Sequence, residues 1–124
     1  MALALGACQM PGASRIAEVP ARATLRVGTT ATLPDRSTLT YVRLLADSRC
    51  RPEVVCIRAG DADIELRWAP VSGAPVSTVI NSDPRNAQGT PNSADVGPWR
   101  IRLASLDWQQ PPRATLEITA DPAR

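Results

Sequence analysis

Asp47–Trp68 reads DSRCRPEVVCIRAGDADIELRW, and the end of this stretch decides the fold. Ile64, Leu66 and Trp68 alternate with Asp63, Glu65 and Arg67. Successive side chains of a strand project to opposite faces, so a period of two with one apolar side marks a half-buried β-strand. Ala59-Gly60-Asp61 in front of it reads as a turn, because glycine reaches positive φ without a Cβ clash.

Working outward, Cys50 and Cys56 enclose five residues, Arg51 to Val55. That spacing is a poor match to the CxxC of zinc knuckles and thioredoxin-like sites. The chain has no histidine, which excludes mixed Cys/His metal sites. The plain reading is a structural disulfide closing a small loop, contributing roughly 2–3 kcal/mol by restricting the unfolded chain. A redox pair and a metal site are the alternatives. Asp61, Asp63 and Glu65 share one face of the strand. Three carboxylates so spaced suit a hard cation such as calcium. They equally suit a solvated face paired to arginines on neighbouring strands, and the absence of a Gly-containing calcium loop favours that second reading.

The run DSRC-RPEVV-CIRAGDADIEL resembles a motif, DSRCP…C(I/V)WAG(D/E)A, of small uncharacterised bacterial secreted proteins and lipoproteins, and ATLPDRSTLTYVRLLA before it looks like their preceding strands. The similarity covers Leu25 to about Trp68 and is looser beyond. Arg51 precedes the proline here, and Arg58 stands where tryptophan is common in that family. The resemblance implies a secreted or envelope-attached protein. It carries over no catalytic residue, because the family has no assigned activity.

Leu5-Gly6-Ala7-Cys8 resembles the bacterial lipobox. The resemblance implies that Cys8 becomes a lipidated N-terminus, and Gln9 in the next position implies sorting to the outer membrane. A secretory signal needs a basic start and an apolar core of about 7–15 residues. Residues 1–8 are therefore read as the lipobox-like end of a truncated signal. Residues 9–22, with Pro11, Gly12, Ser14 and Pro20, are read as a flexible tether, with Arg15–Val19 as a candidate short edge strand within it, and 23–120 as the folded domain. No other stretch is long and apolar enough to span a bilayer.

The remaining strands are expected near Thr24–Val27, Ala31–Leu33, Thr38–Leu45, Val76–Asn81, Trp99–Leu103 and Thr115–Ala120. The apolar run Leu39, Tyr41, Val42, Leu44, Leu45 reads as a strand buried on both sides for part of its length. Residues 82–98 read as one long loop without periodicity, the kind that either binds or is locally disordered. Twelve prolines and seven glycines suit turns better than helices. The expected fold is all-β: a small antiparallel sandwich, Ig-like, of seven to eight short strands, with a small barrel as the alternative. Glu65, Glu117, Arg100 and Arg102 are expected to form cross-strand pairs on the outer faces.

Fourteen basic against twelve acidic residues give a net charge of +2, and the basic residues are arginines scattered along the chain. No cluster marks a nucleic-acid footprint. Without histidine or lysine, His-dependent triads, Schiff bases and Walker-type phosphate loops are excluded. Paired carboxylates on strands of so small a sandwich lack the cleft that glycoside hydrolysis needs. The chain is therefore read as non-catalytic, with no cofactor and no metal: an envelope lipoprotein held by Cys8 that acts as a structural or binding module, the partner being an envelope protein or glycan. The alternative is an inhibitor or accessory subunit of a secreted hydrolase, presenting the disulfide-closed loop. Arg51, Glu53 and Trp108 are the candidate binding residues. Trp68 and Trp99, on the apolar faces of their strands, are expected in the core.

Overall fold

The computed structural model describes residues 13–16 and 18–120. The described chain is all-β, with no helix. Its strands are β1 (Ala13–Arg15), β2 (Ala21–Leu25), β3 (Thr30–Thr32), β4 (Thr38–Asp47), β5 (Ala62–Ala69), β6 (Val76–Asn81), β7 (Ser93–Val96), β8 (Trp99–Leu106) and β9 (Ala114–Ala120). One sheet has the order β1-β3-β4-β5-β6 and the other β2-β9-β8-β7. Apart from β1, which runs parallel to β3, the remaining eight strands make two four-stranded antiparallel sheets.

The connections are those of a meander. From β3 to β6 and from β7 to β9 successive strands pair as hairpins, and the chain changes sheet between β1 and β2, between β2 and β3 and between β6 and β7. β9 returns beside β2, with Ala23 opposite Leu116. Alternation builds the core from both sheets: Leu39, Tyr41, Ile64, Leu66 and Ile80 meet Ile101, Leu103, Leu116 and Ile118. Trp68 and Trp99 are buried at the edge of this core, as their positions on the apolar faces predict. Gly97, in the β7–β8 turn, lies against Trp68; a Cβ there would stand 2.4 Å from the indole ring.

Three sequence expectations need correction. Part of the expected tether, 9–22, is folded: β1 pairs with β3, Ile16 is buried, and β2 opens at Ala21. The signal here is faint because β1 is only three residues long. The 82–98 segment is not one loop, since Ser93–Val96 forms an edge strand on β8. Only Ala94 and Val96 mark it as apolar. Finally, β4 is not a strand buried on both sides. Its register against β5 shifts between Tyr41 and Arg43 and again between Leu44 and Ala46. Bulges change which face a side chain meets, so the apolar run leaves the core and Leu45 is 47% exposed.

The two ends of the sandwich are distinct. β4 and β8 finish at one end, where β5 and β9 begin, so residues 48–61 and 107–113 cluster there. The 33–37, 70–75 and 97–98 turns lie at the other. Charged residues pair across the outer faces as expected: Arg43 with Glu65 at 3.1 Å, Arg100 with Asp95 at 2.8 Å, and Glu117 with both Arg102 and Arg22. The hydrogen bond from Arg102 holds the Glu117 carboxyl below its ordinary value.

Candidate functional site

The β4–β5 hairpin continues beyond its strands. Ser48 N donates to Asp61 O at 2.8 Å, and Cys50 N donates to Ala59 O at 2.7 Å. The two arms press together at Gly60, whose φ is +72°; a Cβ there would fall 1.9 Å from the Ser48 carbonyl oxygen, so glycine is required. Cys50 and Cys56 are disulfide-bonded, with Cα atoms 6.0 Å apart. That separation is ordinary for a disulfide. Within the closed ring, Val54 N donates to Arg51 O at 3.1 Å, forming a tight turn.

One arginine braces this tip against the second sheet. Arg49 Nε and Nη2 donate to the two carboxylate oxygens of Asp47 at 2.9 and 2.8 Å. Its Nη1 and Nη2 also donate to the carbonyls of Leu106 and Asp107 at 3.0 and 2.9 Å. The guanidinium lies 4.0 Å from the centre of the Trp108 ring. A planar fork that satisfies a carboxylate, two carbonyls and an aromatic face is specific to arginine. The side chain is only 11% exposed, so this is an internal tie. The hydrogen bond from Arg49 also lowers the Asp47 carboxyl below its ordinary value.

The platform under Trp108 is equally fixed. Asp107 Oδ1 accepts from Gln109 N and Arg113 N at 3.0 and 2.8 Å, and Arg113 Nε donates to Oδ2. Burial works against the Asp107 charge, but the bonds from Arg113 and Gln109 outweigh it and lower its carboxyl. Tyr41, wholly buried beneath, donates from its hydroxyl to Pro112 O at 3.0 Å. Burial pushes this phenol up to about 12.

This scaffold presents an apolar group to solvent beside its charged residues. Val55 and Ile57 are fully exposed and Val54 is 51% exposed. With Leu45 at the end of β4, these account for four of the six most exposed large hydrophobic side chains among the described residues. The three candidate binding residues come together beside them. Arg51 Nη1 is 3.8 Å from Glu53 Oε1, and the Arg51 guanidinium is 5.5 Å from the Trp108 ring centre. Arg58 is exposed in the same loop.

The acidic face has a different role from a cation site. Asn81, wholly buried, donates from Nδ2 to Asp61 Oδ2 and Asp63 Oδ1, each at 2.6 Å. Glu65 is taken by Arg43. Asn81 Oδ1 accepts from Asp83 N at 2.7 Å, opening the 82–92 loop. Asn92 Nδ2 donates to Asn81 O and Leu103 O at 2.7 and 3.1 Å, stitching the seam between sheets. Among the described residues no group of three or more acidic, cysteine or histidine side chains is placed to hold a metal. At the opposite end, a depression of about 370 Å³ is lined by Pro20, Ala21, Arg22, Glu117 and Thr119; the Arg22–Glu117 pair already engages its charged groups.

Sequence reasoning singled out Arg51, Glu53 and Trp108, which the structure brings close together, and passed over Val54, Val55, Ile57, Arg49 and Asn81. An apolar RPEVVCI run gives no sign that it stands beyond the ends of the sheets. Cys8 lies outside the described residues. Compared with protein-family models, curated proteins and solved structures, the chain matches none.

Proposed function

We propose that this protein is a non-catalytic binding module of the bacterial cell envelope, lipid-anchored through Cys8 at the outer membrane, with the stapled hairpin tip as its contact surface. One observation carries the reading. Val54, Val55 and Ile57 are turned outward on a tip that a disulfide, an arginine brace and a glycine crossing all hold in shape. Contiguous exposed apolar side chains on an otherwise polar surface mark contact sites. A contact surface already ordered before binding avoids much of the entropy cost of association. The lipobox resemblance of residues 5–8 and the disulfide favour an oxidising compartment outside the cytoplasm.

A second reading, an inhibitor or accessory subunit of a secreted hydrolase, draws on the exposed Arg51–Glu53 pair at the same tip. Photo-crosslinking in cells separates these from a purely structural role. A crosslinking residue at position 55 is expected to give adducts, and one at Val71, exposed at the opposite end, none. Equal labelling at both positions contradicts a contact surface at the tip. Adducts that all contain one hydrolase favour the second reading.

A further inference from the structure

We propose that β6 is a dimerisation edge: two copies of this chain pair antiparallel through their β6 strands, about a two-fold axis at Thr78, and join their β1-β3-β4-β5-β6 sheets into one. The pairing is independent of the hairpin tip and of Cys8.

The two sheets end at β1, β6, β2 and β7. An open edge is a template for another strand, and natural sheets blunt it with short strands, charges or proline. β1 has three residues and β7 four, with Asp95 among them, and β2 carries Arg22. β6 has none of these protections along its length. Its six residues, VSTVIN, hold no charge, four of them are β-branched, and the first two are exposed.

The phase of β6 against β5 fixes which backbone groups it offers. Ser82 N donates to Ala62 O of β5 at 2.9 Å. Residues 82, 80, 78 and 76 therefore turn their backbone groups to β5, and 81, 79 and 77 turn theirs outward. Asn81 follows this pattern: its N–H donates to Pro91 O at 2.8 Å, and its carbonyl accepts from Asn92 Nδ2. Ser77 and Val79 are the other outward positions. Among the described residues no strand or loop pairs with them.

An antiparallel copy of β6 fits these groups in one register. Val79 stands opposite the second copy's Ser77, and Ser77 opposite its Val79, each pair exchanging both N–H···O bonds. Thr78 then lies opposite itself on the axis, as an isologous contact requires. The next outward position sets Pro75 opposite Asn81. Pro75 has no N–H, and both backbone groups of Asn81 are already bonded, so the ladder stops at the same place on both strands. A register shifted by two sets one of these blocked residues against Ser77 or Val79 and leaves bonds unmade. The two stops coincide because the incoming strand is β6 itself. Side chains at the joint are uncharged: Ser77 and Val79 lie on the outer face, and Val76, 44% exposed, comes opposite the second copy's Ile80 on the other.

The test follows the full chain by sedimentation and amide exchange from micromolar to millimolar concentration. The expected result is a rise in mass from 13.2 kDa toward twice that value. The Ser77 and Val79 amides should slow as the mass rises, while those of Thr78 and Ile80, already bonded to β5, keep their rates. Val79→Pro removes one outward N–H and leaves the β5 ladder intact, and Val79→Lys puts two like charges in the joint. Both variants, shown to be folded by urea unfolding, should stay monomeric where the wild type is dimeric; if Val79→Pro does not fold, Val79→Lys decides. A monomer at every concentration overturns the proposal. So does a dimer in which the Ser77 and Val79 amides still exchange fast, or one that Val79→Lys leaves intact. Protection of the Val79 amide that appears only with envelope extract assigns the edge to a strand of another protein and overturns the second copy as its occupant.

Discussion

Two long connections near one end of the sandwich solve the same problem differently. Residues 48–61 and 82–92 each leave one strand and must return to another without a helix or sheet of their own. The first is closed by a covalent bond at its tip and braced by Arg49 at its base, so its apolar side chains can face outward. The second is held by amide side chains. Asn81 opens it, Asn86 Nδ2 donates to Asp83 O and Thr90 O at 2.8 and 2.6 Å, and Asn92 closes it. A loop whose own polar groups fold it back presents a polar surface. A loop fixed from behind is free to present an apolar one. The difference separates a connection held by its own polar groups from one that carries Val54, Val55 and Ile57 outward.

The largest effect should come from breaking the polar connection. The Asn81 side chain is buried, bridges two carboxylates and accepts from Asp83 N at the start of the 82–92 loop. Asn81→Ala leaves Asp61 and Asp63 without their shared donor and should cost about 3 kcal/mol of domain stability in urea unfolding. A loss below about 1 kcal/mol would show that the carboxylates of Asp61 and Asp63 do not depend on this donor.

Next in size is the covalent connection. Cys50→Ser with Cys56→Ser should lower stability by about 2 kcal/mol, the chain-entropy value for so short a ring. The sharper readout is local: amides of residues 50–59 should lose hydrogen-exchange protection while the β8–β9 ladder keeps its own.

Two titrations sharpen the comparison from beneath the tip. Tyr41 is the only tyrosine, and the chain has no lysine. Its raised folded value means that the unfolded phenol ionises first, so the stability it supports is present below pH about 10 and lost as pH rises through about 12. Ultraviolet titration of the native protein should therefore show phenolate appearing near 12, and a midpoint near 10 would contradict burial under Pro112. On the acid side the sign is reversed. Asp47 has a folded value below its ordinary 3.8, so its contribution holds above that value and fades as pH falls below about 4. Protonation releases Arg49 from Asp47, and the fluorescence of Trp108 should change in that range before the buried Trp68 and Trp99 respond.

The smallest expected effect on stability is at the exposed apolar tip. Val55→Asp should change unfolding free energy by less than about 0.5 kcal/mol, because the side chain touches little in the free protein. The same substitution should abolish crosslinking from a photo-reactive residue placed at Ile57, exposed in the same tip. A large loss of stability would mean that the tip packs against the domain.

Much of this fold could be read from local alternation. Ile64, Leu66 and Trp68, then Ile101 and Leu103, identify the two strands that carry the core, and the Cys50–Cys56 bond follows from residue type and spacing. The turn expected at Ala59-Gly60-Asp61 is instead an arm of the hairpin, carried by the Ser48–Asp61 and Cys50–Ala59 hydrogen bonds. β4 resisted because bulges, which no single residue announces, move its apolar run out of the core. β7 resisted because a four-residue edge strand offers too few alternations. The candidate site was legible as a loop but not as a surface. Exposure of Val55 and Ile57 depends on where the hairpin ends relative to both sheets, and the value of Arg49 depends on carbonyls at Leu106 and Asp107, far away in the chain.

The direct measurement is amide hydrogen exchange on the anchored protein, compared free in detergent and bound to native envelope membranes. The tip account predicts new protection confined to residues near Leu45 and to 50–58, with the Pro20–Arg22 and Glu117–Thr119 surface unchanged. Protection spread over the outer face of β2 and β9, or absent from the tip, would contradict it.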